Sequence, residues 1–315
     1  MEINEYTNLQ DLKNDIKSIK IQGATNVAIA TVNGLILHCS SIVYGDWEEF
    51  LEDVKKVGME LATLRENEPL AKNAVKYIYY MIKTRYMDAD TADKRRDAFM
   101  LVANEYLEII ENSKKEILKH GNAQLHGISK VFTHCHSSTS EHLIIDLSKG
   151  IDDFKVVCTE TRPKFQGRIT AQKLLEAGLD TTMIADSAAE SYVIGRGLFP
   201  VDAVFLGADQ ISLNGDVINK VGSWGIALAA YYANIPVYVV TPFLKVDADT
   251  AYKPIIIERR DGEEIWPDHP EGLNLDNPAF DLIDAKLITG YITELGVISV
   301  QEIPSLIREK YGWVY

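Results

Sequence analysis

Apolar residues in the first part of the chain recur at three- and four-residue spacing. Leu51 to Leu64 and Ala71 to Ile82 carry such stripes. A longer one, from about Asp93 to Leu118, is drawn by Phe99, Leu101, Val102, Tyr106, Ile109, Ile110 and Ile117. This period predicts amphipathic helices, with Glu105, Glu108, Glu111, Lys114 and Lys115 on the solvated face of the last. Gly121-Asn122 predicts where that helix stops.

Beyond residue 122 short β-branched runs alternate with helix-length segments. Strands are expected near 128–134, 154–158, 181–185, 201–206 and 236–240, and helices near 138–149, 168–177, 188–194 and 220–233. A strand-like run from Leu287 to Ile292 and a closing helix near Ile303–Tyr311 complete the pattern. Such alternation is the mark of a doubly wound sheet. The expected fold is α/β: an N-terminal helical domain, residues 1–122, followed by a Rossmann-like, doubly wound parallel sheet domain, residues 123–315.

Length agrees with this division, because 315 residues exceed one ordinary core. The net charge of -14 comes with no visible basic stripe, which argues against a general nucleic-acid binder. No apolar stretch reaches membrane-spanning length, and no secretory signal is visible. Three cysteines, Cys39, Cys135 and Cys158, are an odd number without metal-like spacing. They fit a reduced, cytoplasmic protein better than a disulfide scaffold.

Each expected strand of the second domain stops at a polar residue. Cys135 follows Val131–His134, Thr159-Glu160 follows Lys155–Cys158, and Asp186 follows Thr182–Ala185. Asp209 follows Val201–Ala208, and Thr241 follows Val237–Val240. In open α/β sheets ligands bind outside the carboxyl ends of the strands. The row therefore presents a thiol and carboxylates to a small molecule.

Three segments carry most of this chemistry. Thr133 to Ser140 leaves a strand through a hydroxyl-rich turn, where Ser137 to Ser140 offer helix caps and free N–H groups bind anions. A helix start beside Cys135 would lower its pKa. The plainer reading is a small buried cysteine beside capping serines. Zinc at His134, Cys135 and His136 is disfavoured, because adjacent strand residues point to opposite faces. In the second segment Arg162, Lys164 and Arg168 put three cations in seven residues of an acidic chain, a pattern suited to phosphate. Gln166-Gly167 would let backbone approach a ligand closely, although a solvated basic loop reads equally well. In the third, Asp209 ends a buried strand, where an unpaired carboxylate is costly. Asn214-Gly215 predicts a tight turn. Asn219-Lys220, leading into the next helix, would bring an amide and an ammonium to the same crevice. A capping aspartate with an ordinary hairpin is the alternative.

At these segments the chain resembles the archaeal ribose-1,5-bisphosphate isomerases. Their superfamily includes the methylthioribose-1-phosphate isomerases and the alpha, beta and delta regulatory subunits of the exchange factor for translation initiation factor 2. The matching stretches are Thr133–Ser138, Thr159–Arg168, Ala185–Ala188, Gly207–Lys220, Asn277–Asp281 and Thr293-Glu294. The resemblance implies an aldose–ketose isomerase, an intramolecular oxidoreductase of nucleotide salvage, with Cys135 and Asp209 as its catalytic pair. It implies substrate binding by Gly23, Ala24, Arg162, Gln166, Arg168, Asn219 and Lys220. No metal or other cofactor is implied. Cys135 would move a proton at C1/C2 of the sugar. Asp209, held protonated in a dry site, would serve the ring oxygen.

Two N-terminal positions depart from the isomerase pattern: Gln22 and Glu68 stand where arginines are expected. Arg65, three residues before Glu68, is the candidate replacement. The resemblance further implies a homodimer or homohexamer and AMP as an effector, with neither nucleic acid nor membrane as partner. The alternatives are a regulatory, initiation factor 2B-like protein without catalysis, or an isomerase of another sugar 1-phosphate.

Overall fold

The computed structural model describes residues 6–315. Helices α1 (Leu9–Lys17), α2 (Ala24–Ser40), α3 (Trp47–Ala62), α4 (Pro69–Arg85) and α5 (Ala92–Gln124) come first. Next are β1 (Lys130–Thr133), α6 (Ser138–Ser148), β2 (Lys155–Thr159), α7 (Gly167–Glu176), β3 (Asp180–Ile184) and the short turn α8 (Ala189–Ser191). The chain continues through β4 (Ala203–Leu206), β5 (Gln210–Ser212), β6 (Val217–Lys220), α9 (Ser223–Ala233), β7 (Val237–Val240) and β8 (Val246–Asp247). It closes with β9 (Phe280–Ile283), β10 (Gly290–Thr293), β11 (Gly296–Ile298) and α10 (Ile303–Lys310). The result is a mixed α/β protein with a helical N-terminal region and a parallel-rich sheet.

The chain divides into two compact units. One takes the chain up to Asn112 together with Leu244–Lys253 and Ser305–Tyr315; the other takes Ser113–Phe243 and Pro254–Pro304. The sequence suggested a single cut near residue 122. The boundary falls instead within α5, and two later segments return to the first unit.

In the first unit α2 lies inside on most of its circumference: Val27, Ala28, Ala30, Thr31, Val32, Gly34 and Leu35 are all buried. A helix buried all round has no polar face, so it shows no three-to-four spacing to find. Phe50 of α3 packs edge-on against Tyr44, Trp47 and Phe99. Burying such a ring contributes about 2–3 kcal/mol. The Asn73 side-chain amide donates to the carbonyls of Leu244 and Val246, which fastens the returned segment to α4.

Among the described residues of the second unit, seven strands form the main sheet, in the order β11-β10-β7-β4-β1-β2-β3. All pairs are parallel except β10 with β11. Val131, Phe132, Val156, Val157, Val204 and Phe205 are buried, the continuous apolar runs that a sheet covered on both faces requires. From β1 the chain winds outward through β2 and β3, then returns to β4 on the other side of β1. The winding direction thus reverses between β1 and β4. β6 pairs antiparallel with both β5 and β9.

Two expectations about element ends are corrected. Gly121 does not stop α5, which runs on to Gln124. A Cβ on Gly121 would lie 2.5 Å from a methyl of Leu143, so this glycine admits α6 closely and is no cap. The helix expected over 220–233 begins only at Ser223, because Val217–Lys220 pair with Phe280–Ile283. Asn219 and Lys220 are therefore strand residues. Nor does the segment 280–283 read as a strand in the sequence, since its partner β6 is remote in the chain.

α9 takes its cap from another element. Its N-cap is Gly222, which has no side chain to offer. Asp281 of β9 accepts instead from the N–H groups of Gly222 at 2.8 Å and Trp224 at 3.0 Å. Replacing Asp281→Ala should lower stability by about 1–2 kcal/mol in urea unfolding, the usual loss for an N-cap. An unchanged midpoint and slope would refute this assignment.

Candidate active site

Cys135 lies just beyond β1 with φ at 66°, a left-handed conformation that costs a non-glycine residue about 1–2 kcal/mol. Its backbone is held on both sides. The amide donates to Thr161 Oγ1 at 3.0 Å, and the carbonyl accepts from Thr170 Oγ1 at 2.8 Å. Thr161 belongs to the turn after β2 and has φ at 62° itself. That turn is shaped by Asp186 beyond β3, whose two carboxylate oxygens accept from the N–H groups of Thr161 and Arg162 at 2.7 and 2.6 Å. Three adjacent strand ends therefore converge on one thiol, and Gln166 Oε1 stands 3.8 Å from its sulfur.

The other side of the site comes from β4 and β6. A Cβ on Gly207 would lie 2.7 Å from that of Ser137, so glycine is what lets the ends of β1 and β4 touch. Asn219 Oδ1 is 3.9 Å from the same point. The Asn219 side chain donates to Ser223 Oγ at 2.9 Å, and Ser223 donates to the Lys220 carbonyl at 2.6 Å. Lys220 Nζ rests over the Phe280 ring, 4.8 Å from its centre. Asp209 is half-buried, and its N–H donates to Ile218 O at 2.8 Å. Among the described residues no hydrogen bond within the chain reaches its carboxylate.

Burial dominates the electrostatics of the thiol. It pushes Cys135 up to about 11, against the pull of the Lys220 ammonium and the His136 N–H. The negative charges of Asp209 and Asp186 push the same way as burial. A low thiol pKa was expected from the nearby helix start; desolvation outweighs that field. Cys135 thus senses both Asp209 and Lys220, although among the described residues no direct bond joins it to either.

The other sequence candidates divide. Gln166 and Asn219 join this group. Arg162 donates to the Ile265 carbonyl at 2.7 Å and lies over Phe165, while Arg168 stacks on Phe165 at 3.8 Å and is 3.8 Å from Glu160. Gly167 admits structure where a ligand was expected: its Cβ would fall 1.8 Å from the Thr159 carbonyl, so α7 starts directly on the end of β2. Gly23, Ala24 and Arg65 belong to the first unit. Gly23 has φ at 82° and precedes α2, Ala24 is buried as its first residue, and Arg65 pairs with the buried Glu68 at 3.0 Å. In the sequence His134 stands out only as a possible metal ligand, and Thr161 and Thr170 suggest no role. Their signal is weak, since a threonine at a strand end is commonplace.

A family model described as "Initiation factor 2 subunit family" matches residues 20–300. The ribose 1,5-bisphosphate isomerase of Methanocaldococcus jannaschii is 31% identical, over 99% of this chain and 98% of that protein. A methylthioribose-1-phosphate isomerase of Thermoanaerobacter sp. is 31% identical, over 98% of this chain and 92% of its own length. Among solved structures, the translation initiation factor eIF-2B of Pyrococcus horikoshii superposes with a TM-score of 0.77 at 23% identity, covering 92% of this chain and 96% of that one. At that identity the likeness concerns the fold.

The buried thiol has a measurable consequence. The rate at which iodoacetamide alkylates Cys135, followed by mass spectrometry, should rise about tenfold per pH unit from pH 8 to 10 and level off only near pH 11. A plateau below pH 9 would show a thiol already ionised by its surroundings.

Proposed function

The chain belongs to the initiation factor 2 subunit family, and from that premise we propose that it is a sugar-phosphate isomerase converting a 1-phosphorylated aldose into a ketose. The observation that carries this reading is the meeting of Cys135, Asp209, Asn219 and Lys220 where the sheet reverses direction. That is the point at which open α/β sheets bind ligands. The strand order, reversing between β1 and β4, supports the finer description of this sheet as Rossmann-like and doubly wound.

A sugar phosphorylated on O1 cannot open to a free aldehyde. An acid must protonate the ring oxygen as the bond from C1 to that oxygen breaks, a base must remove the C2 proton, and the enol so formed must lose its O2 proton as C1 receives one. C2 is then oxidised and C1 reduced within one molecule, with no external electron acceptor. In our reading Asp209, as the carboxylic acid, protonates the ring oxygen. Among the described residues no hydrogen bond reaches its side-chain oxygens, and the residue is half-buried. Cys135 exchanges the proton at C1/C2. With the thiol pushed up to about 11 its thiolate is scarce but strongly basic, and Lys220 is the neighbouring cation that favours it. Asn219 and Lys220 would orient the sugar hydroxyls. Gln166, Arg162 and Arg168 would hold phosphate.

The substrate we propose is ribose 1,5-bisphosphate, giving ribulose 1,5-bisphosphate in nucleotide salvage. Support comes from the near end-to-end match to the M. jannaschii enzyme of that name. A homodimer or homohexamer, AMP as effector and a cytoplasmic location belong to the same reading. Among the described residues no helix is long and apolar enough to cross a membrane.

Phosphorus NMR of the protein with ribose 1,5-bisphosphate should show the ketose, and methylthioribose 1-phosphate should turn over at least about tenfold more slowly if a second phosphate is recognised. Cys135→Ser and Asp209→Asn should each lower turnover by about a thousandfold or more while circular dichroism stays unchanged. Near-normal turnover by either variant would sink the mechanism. Absence of a ketose from both sugars would sink the isomerase assignment.

A further inference from the structure

Cys135 is joined to a directional chain of hydrogen bonds that ends on a buried imidazole. His134 Nε2 lies 2.9 Å from the Val221 carbonyl, and its Nδ1 lies 2.6 Å from Thr159 Oγ1. A carbonyl only accepts, so Nε2 carries a proton, and in the neutral ring Nδ1 is then the acceptor. Thr159 must then donate to Nδ1, which leaves its oxygen to accept from Thr161, 3.1 Å away. Thr161 in turn accepts from the Cys135 N–H at 3.0 Å. Each hydroxyl gives one bond and takes one, so the imidazole sets the sense of the Thr159–Thr161 link, while the last link is fixed by an N–H that only donates.

We infer that His134, held as a neutral imidazole, is the positioning residue that fixes the Cys135 backbone through Thr159 and Thr161. It does so while also anchoring the Lys220–Gly222 turn through Val221. The imidazole is 2% exposed. Burial lowers its pKa; of the charged groups that reach it, Asp186 and Asp281 oppose that shift and Lys220 adds to it. Protonation would put a donor on Nδ1 against the Thr159 hydroxyl and turn the Thr159–Thr161 bond round, leaving the buried Thr161 O–H without its acceptor. The neutral form keeps every hydroxyl of the chain paired, with the left-handed Cys135 amide on Thr161 Oγ1. Because the same ring holds Val221, it ties the thiol of β1 to the Asn219-Lys220 pair of β6. Two halves of the site are thereby set by one side chain.

This inference deepens the proposed function, and its kinetic arm rests on Cys135 doing chemistry. Its alkylation arm does not. Thr159→Val keeps the shape and removes the hydroxyl; Thr159→Ser keeps the hydroxyl. With the valine variant, the rate of Cys135 alkylation by iodoacetamide should change at least about fivefold, and kcat on ribose 1,5-bisphosphate should fall about 10- to 100-fold with KM within about twofold. The serine variant should bring both back to within about threefold of the native protein. Thr161→Val, one link nearer the thiol, supplies the same readings if the Thr159→Val protein does not fold. Native alkylation rates in a folded valine variant would overturn the inference. So would a serine variant as impaired as the valine one, because volume and not the hydroxyl would then be the cause. If the native protein shows no turnover, the proposed function fails and the alkylation comparison still decides the inference.

Discussion

Polar groups buried at the carboxyl ends of β1 and β2 must find partners, and that requirement organises everything around the thiol. A buried donor or acceptor left without a partner costs about 1–3 kcal/mol. At the end of β1 the demand is met across strands. His134 bonds to β2 and to the turn after β6, and Cys135 bonds to the turn after β2 and to α7. These bonds hold a cysteine backbone that would not adopt its left-handed form unaided. They also explain why the site is assembled from segments far apart in the chain.

Close approach is the second constraint. Gly207 and Gly167 stand where any side chain would collide with a neighbouring strand end, with Ser137 in one case and the Thr159 carbonyl in the other. The two close approaches bring β4 to β1 and α7 to β2. Both lie at the mouth of the sheet where the winding reverses, and the Asn219 amide stands beside the first of them. The energetic consequence is visible at Cys135, where desolvation outweighs both the ammonium of Lys220 and the helix start.

In the first unit two polar side chains hold buried structure together: Arg65 pairs with the buried Glu68, and Asn73 holds the returning segment through two carbonyls. Glu68 occupies a position where a cation was expected, and its charge is balanced by the arginine one turn before it.

Much was legible along the chain. The stripes of α3, α4 and α5 and the runs of β1 to β4 and β7 were readable, because local periodicity and burial on both sheet faces write themselves into residue order. So was the row of chemical residues at the strand ends, and the family they resemble. What the order could not hold was pairing. Lys220, the end of β6, looked like the start of a helix because the partner strand β9 lies some sixty residues on. Gly121 looked like a stop because its neighbour Leu143 belongs to another helix. The state of Cys135 depended on how completely the fold removes water from it, and the service of His134, Thr159 and Thr161 on which hydroxyl faces which nitrogen. Sequence by itself determined which groups stand at the ends of the strands. Tertiary structure alone decided their bonds and charges, since desolvation and hydrogen-bond direction are properties of neighbours in space.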